Sequence, residues 1–384
     1  MKLDEKYRHQ NNCHLYARRH ARKVERKGKT YNRYKSDVYR AKGFRRIKAP
    51  KVIDIYSTTR DKAAFIDTIK FEKSIKTYCG YENVILDFSK TEHITAAAML
   101  LIYAALDSNL RKDGITNKVK WSMKPRVNTF IRRSGLYSLL VKGFSKFNPD
   151  SDKAIPVIGG VSNETAEDVL DYISKCYYKG DMDPNVEFRY GDAVSETINN
   201  VARHAYPNNK ASEKKWWLLC EVVNEQLFLA IYDLGVGVPS TILEKQWFWG
   251  SFESLYPKEY REIISELKKK NVISDDSKIP GIQLMAKGKL EDSQMIALSM
   301  KGDVSGTKIA KHGQGSKSIK ALVCSSRNGV LWFYSKKGLY KLKSKEALKD
   351  SDCGNIDESK VEPTLHKLPK EIPGTLIQWN ISIK

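Results

Sequence analysis

The 384-residue chain lacks any apolar run that approaches a membrane span, so no membrane partner is expected. Its first residues are basic and lack the apolar segment of a secretory signal. Six cysteines, Cys13, Cys79, Cys176, Cys220, Cys324 and Cys353, are scattered without a C-x-x-C pair. That spacing argues against a zinc site and a disulfide framework, and a reduced, cytoplasmic setting is the expectation. No nucleophile elbow occurs, which leaves a Ser-His-Asp hydrolase unsupported. His204 and His312 lack metal-site spacing. Acid is scarce at one end: residues 1–50 hold 17 Lys and Arg against 4 Asp and Glu, so +13 of the net +22 sits there. A charge of that size calls for an anionic partner more than for any particular fold.

What is present divides into segments. The length suggests two or three domains, and a hydrophobic content of 41% is enough for real cores. Residues 1–50 read as a basic arm with tyrosines at 7, 16, 31, 34 and 39. Aromatic rings among cations suit stacking on bases and phosphate neutralisation, so DNA or RNA is an expected partner, with an acidic protein surface as the other choice. Residues 51–145 alternate strand and helix: KVIDIYS, a helix to Tyr78, VILDFS, a helix capped by Thr95 and closed at Gly114, a strand from Val119, and the helix PRVNTFIRRSGLYSLL. That order predicts a small sheet covered by helices. Residues 146–164, with Pro, Gly, Ser and Asp, read as the joint. Residues 165–384 form the last segment, with a long insertion at about 240–312. In the insertion, Trp247, Phe248 and Trp249 read as core packing. GVLWFYSKKGLYKLKS reads as a hairpin turning at Lys336-Lys337-Gly338, residues 343–373 as a polar connection, and GTLIQWNISI as the closing strand.

Four pieces of that last segment carry chemistry, the fourth being Gly374-Thr375 just before the closing strand. SETINNVARHAY puts Glu196 and Asn200 four residues apart, on one helix face. A carboxylate there can act as general base, and an amide oxygen one turn later can face Mg²⁺. In DLGVGVP, Asp233 at a strand end can accept from an exocyclic amine, while Gly235 and Gly237 let the backbone approach a flat base. HGQGSKSI places Gly313 and Gly315 at a helix start, where backbone N–H groups turn toward phosphates. Lys308 and Lys311 stand just before it, where either could reach a terminal phosphate or equally be a solvated lysine. Taken singly, each piece also fits a solvated helix face or an ordinary turn.

Together, in this order, they resemble the ATPase superfamily of gyrases, large heat-shock chaperones, histidine kinases and mismatch-repair proteins, called GHKL. The asparagine-box stretch is most similar to that of bacterial anti-sigma-factor kinases. The resemblance covers about residues 185–384 and implies an α/β sandwich of the Bergerat type, a mixed sheet with helices on one face. It implies ATP and Mg²⁺ as cofactors, with Glu196 as general base and Asn200 as metal ligand. Asp233 would read adenine, Gly235 and Gly237 would shape the pocket, and Lys311, Gly313, Gly315 and Thr375 would bind nucleotide. The insertion would hold the lid. Residues 51–145 resemble a second family, the STAS domains of anti-sigma-factor antagonists, through LDFSKTEHITAAAMLLIYAAL and PRVNTFIRRSGLYSLL. The fold class expected is therefore α+β to α/β, a small STAS-like domain followed by a GHKL-type ATPase domain. One departure matters: Ala96 occupies the position of the antagonists' phosphorylated serine. Thr95 beside it is a possible acceptor, though a helix N-cap is the plainer role.

Three functions fit these readings. One is an Mg²⁺-dependent ATPase switch whose arm engages nucleic acid or an acidic partner. Another is an anti-sigma-type serine/threonine kinase. The third is a non-catalytic, ATP-gated interaction module. A regulatory protein could dock on the STAS-like part or the lid, and ATP could drive homodimerisation. A sensor histidine kinase is disfavoured, because no dimerising helix with a phospho-acceptor histidine is found.

Overall fold

A computed structural model describes residues 38–41, 43–58, 62–109, 114–145, 147, 155–161, 164–245, 247–269, 288–301, 314–345 and 361–383. The described chain opens with an antiparallel hairpin, β1 (Val38–Ala41) and β2 (Phe44–Lys48), inside the stretch that composition marks as a basic arm. Ile47, 1% exposed, ties it to a core. There follow β3 (Val52–Ile53), α1 (Lys62–Tyr78), β4 (Val84–Asp87), β5 (His93–Ile94), α2 (Ala96–Asp107), β6 (Asn117–Lys120), α3 (Pro125–Arg133) and α4 (Leu136–Lys142). The first sheet has the order β1-β2-β4-β6, and β2, β4 and β6 run parallel. Parallel neighbours need crossovers, and the segments carrying α1 and α2 supply them. The helix expected over 125–140 is two helices, broken at Gly135.

Every residue of α2 from Ala97 to Leu106 is buried. A helix apolar on all sides needs partners on all sides. Those partners include β8 (Trp216–Val223) and β9 (Gln226–Asp233) of a second sheet. Before them come β7 (Ile158–Gly160), inside the expected joint, α5 (Glu164–Tyr177) and α6 (Pro184–Asn200), which runs into a π-helical turn at Val201–Ala205. After them come α7 (Val238–Thr241), α8 (Phe248–Leu255), α9 (Pro257–Lys269), α10 (Asp292–Met300), α11 (Gln314–Cys324), β10 (Val330–Ser344) and β11 (Val361–Ser382). The second sheet has the order β10-β11-β9-β8-β7, with antiparallel pairs throughout. The β8–β9 hairpin turns on Asn224 and Glu225, both at positive φ, as a two-residue turn between right-twisted strands requires.

This sheet is covered on both faces, not on one. Trp216, Leu218, Leu229 and Ile231 pack toward α5, α6 and α11. Their alternates Trp217, Leu219, Ala230 and Tyr232 share one core with α1 and α2. The uninterrupted run WWLLC follows from burial on two faces. Trp217 Nε1–H donates to Asp107 Oδ2 at 2.9 Å, closing the joint between α2 and β8.

The chain is thus mixed α+β, with one largely parallel and one antiparallel sheet. Several local expectations change. Lys336-Lys337-Gly338 is a bulge within β10, not a turn: Lys337 N–H donates to Asp292 Oδ2 at 2.9 Å, which ties that strand to α10. β11 begins at Val361, well before Gly374, because it pairs with the whole of β10. α2 stops at Asp107, short of Gly114. Thr95 holds the N-cap position, yet its hydroxyl makes no capping bond and is buried without a partner. The Tyr56 hydroxyl serves that helix end instead, accepting from the Ala97 N–H and donating to Gln378 Oε1. Phe248 and Phe252 form a small core of their own with Ile263, Leu267, Met295 and Leu298. Among the described residues no helix is long and apolar enough to cross a membrane.

Candidate functional site

α6 starts at Asp183, whose carboxylate caps the N–H groups of Asn185 and Val186, with Pro184 in the first turn. Tyr190, Ala193, Val194, Thr197 and Ile198 bury one side of it. That packing fixes the rotation of the helix and brings Glu196 and Asn200 onto a cavity. After Asn200 the helix widens into its π turn, and Arg203 and His204 line the same cavity. π segments of this kind recur at functional sites. The Ala205 carbonyl accepts from Val236 N–H at 2.8 Å, which fastens the turn to the loop after β9.

Asp233 ends β9, between Trp216 of β8 and Thr375 of β11 in register. Gly235 N–H donates to its Oδ1 at 2.8 Å, and Thr375 N–H also donates to the carboxylate. Gly374 presses on the backbone behind it: at φ +70°, an added Cβ would lie 1.9 Å from the Asp233 carbonyl oxygen. Ser335 closes the arrangement. Its Oγ accepts from Val238 N–H at 3.0 Å and donates to the Gly374 carbonyl at 3.1 Å.

Gly315 sits in the first turn of α11, against the Glu196 carboxylate, where an added Cβ would meet Oε1 at 2.2 Å. The contact brings the positive end of an eleven-residue helix beside the carboxylate.

The cavity has a volume of about 590 Å³, within the range of small-molecule sites. Of the residues singled out in the sequence, Glu196, Asn200, Asp233, Gly237, Gly315 and Thr375 line it. Gly235 lies behind it, packed on Ala205. Lys308, Lys311, His312 and Gly313 lie outside the described residues. Other lining residues were not singled out as ligands: Arg203, Lys245, Trp247, Ser251 and Lys301. Trp247 and Ser251 stand four residues apart at the start of α8, a helical spacing legible in the sequence but masked by the surrounding apolar cluster. The Ser251 hydroxyl is buried without a partner. Lys245 Nζ lies 3.2 Å from His204 Nδ1, joining the insertion to the π turn.

Burial sets the electrostatics. Asp233 is pushed up to about 7 by desolvation, against the pull of the Gly235 and Thr375 N–H groups. Glu196 is raised by desolvation and Asp192, while Arg203 and a hydrogen bond from Asn200 oppose the shift. Since a carboxylate only accepts, Asn200 donates through its amide nitrogen and its oxygen is left for another partner. His204 is lowered, first by burial and then by Lys245 and Arg203, so a neutral ring accepts from Lys245. Among the described residues no cluster of three His, Cys, Asp or Glu could hold a metal. A cation here would rely on Asn200, Glu196 and oxygens of the ligand, which suits Mg²⁺.

No protein-family model and no curated protein matches the chain.

Proposed function

We propose that the cavity binds ATP with Mg²⁺ and that the chain is an ATPase of the GHKL type, working as a conformational switch. One observation carries this reading: six residues from four separate stretches of the second half meet on one cavity with the chemistry each step needs. Asp233 accepts the base amine at the sheet end of the cavity, and Thr375 stands beside it. Asn200, with Glu196, would hold the Mg²⁺ that accompanies the phosphates, and the cation would supply charge neutralisation there. Arg203, Lys245 and Lys301 add positive charge to the walls. Glu196, raised by burial and backed by α11, takes the proton of an attacking water.

The STAS-like reading of the first sheet enters as a docking platform, not as a phospho-acceptor. Ala96 has no hydroxyl and the Thr95 hydroxyl is buried. The test is incubation with γ-labelled ATP and Mg²⁺, wild type beside Glu196→Ala. Free phosphate from wild type alone supports the switch. Label retained on protein would replace it with a kinase, and tight binding without either product would replace it with a gated module.

A further inference from the structure

The positive charge of this chain lies in two stretches far apart in sequence. Residues 1–50 carry 17 Lys and Arg against 4 Asp and Glu, and residues 114–145 carry 7 against none. Together they hold +20 of the net +22, so the other 302 residues are nearly balanced. Parallel pairing through β4 brings the two stretches onto one sheet. Arg46 lies in register with Ile85 and Lys118, and Lys48 with Asp87 and Lys120. The alternates Ile47, Val84 and Leu86 are buried in the core, so these rows form the opposite face. Lys118 and Lys120 are exposed there, with Phe44 and Ile85 half-buried beside them. Contacts confirm the common face: Lys118 Nζ lies 4.4 Å from the Phe44 ring centre, and Arg46 and Lys120 lie 2.7 and 3.8 Å from Asp87. The cations continue past the edge strand, with Lys124 and Arg126 at the start of α3 and Arg132 and Arg133 at its end, all exposed. Arg132 stacks over Trp121 at 4.7 Å.

We infer that this outer sheet face, with the rim formed by α3, is a nucleic-acid docking surface that binds the phosphate backbone. Residues 1–37, which precede this hairpin in the sequence, carry a further 12 Lys and Arg against 4 acids. Counterion release from the phosphates drives the association. The inference stands apart from the ATP reading, because no residue of the face lines the cavity.

The test is anisotropy of fluorescein-labelled duplex DNA and single-stranded RNA over a salt series. It compares the full-length wild type with Lys118→Glu/Lys120→Glu and with Lys258→Glu/Lys269→Glu, an equal charge change on exposed positions of α9. The sheet variant is expected to bind about tenfold more weakly or worse at low salt, with its log–log salt slope smaller by roughly 2. The α9 variant is expected to keep the wild-type slope. Lys118→Gln/Lys120→Gln, checked by thermal melting, separates lost contacts from a damaged strand and is expected to lower the slope as well. Equal losses in the sheet and α9 variants, or no loss in the sheet variants, would overturn the proposal. So would a loss seen only on phosphatidylserine vesicles and not on nucleic acid.

Discussion

At the scale of single residues, Asp233 makes the sharpest predictions. Asp233→Asn is expected to abolish ATP binding, and unchanged affinity by calorimetry would remove its role at the base. Its titration gives a second check. Burial lifts the carboxyl from 3.8 to about 7, so across that interval the folded chain holds a proton the unfolded chain has released. Stability without ligand therefore falls as pH rises through the interval and levels off above it. Glu72, buried with one oxygen unpartnered, is also lifted to about 7 by desolvation and acts in the same sense. Melting temperature should decline over that range, less so in Asp233→Asn/Glu72→Gln. A flat profile in wild type would mean that Asp233 is hydrated. Asn200→Ala is expected to destroy Mg²⁺-dependent phosphate release while leaving the fold intact, since the side chain faces the cavity and not a core.

At the scale of elements, the site depends on close backbone approach. Gly374→Ala would place a methyl group against the Asp233 carbonyl at a φ that disfavours side chains. A loss of about 1–3 kcal/mol in chemical denaturation is expected, together with weaker nucleotide binding. Gly315→Ala would displace the Glu196 carboxylate and should lower turnover more than affinity. Trp247→Ala, at the cavity wall of the insertion, should weaken nucleotide binding and also lower the melting temperature, because the ring packs on the insertion's small core. α6 was legible through the four-residue spacing of Glu196 and Asn200, whereas its capped start at Asp183 was found only in the structure. The π turn was not, since Val201–Ala205 has no local composition that separates it from ordinary helix. The bulge at Lys336 was misread because its residues have turn chemistry, and only the contact with Asp292 decides against a turn.

At the scale of the whole molecule, α2 links the two sheets. Leu101 is fully buried in the core they share. Leu101→Ala should cost about 2–5 kcal/mol, and calorimetry should record one transition for both halves. Two separate transitions would show that the shared core does not couple them. A nucleotide-driven shift of the second sheet would reach α2 directly through Trp217 and Asp107. That gives the first sheet a physical route by which to respond to the cavity.

The sequence alone determined the local chemistry: a Glu and an amide one helical turn apart, an acid ending an apolar strand, and glycines at turns. These are short-range patterns, set by helix and strand periods and by backbone conformation. It also showed a chain rich in positive charge at its start. Only the tertiary structure decided that the pieces of the cavity meet and that Lys245, Trp247 and Ser251 join them. It also decided that the second sheet is buried on both faces and that charge from residues 44–48 and 118–120 shares one surface. Those outcomes depend on contacts between residues tens to hundreds of positions apart. Such contacts are chosen by burial of the whole apolar surface, which no local pattern encodes.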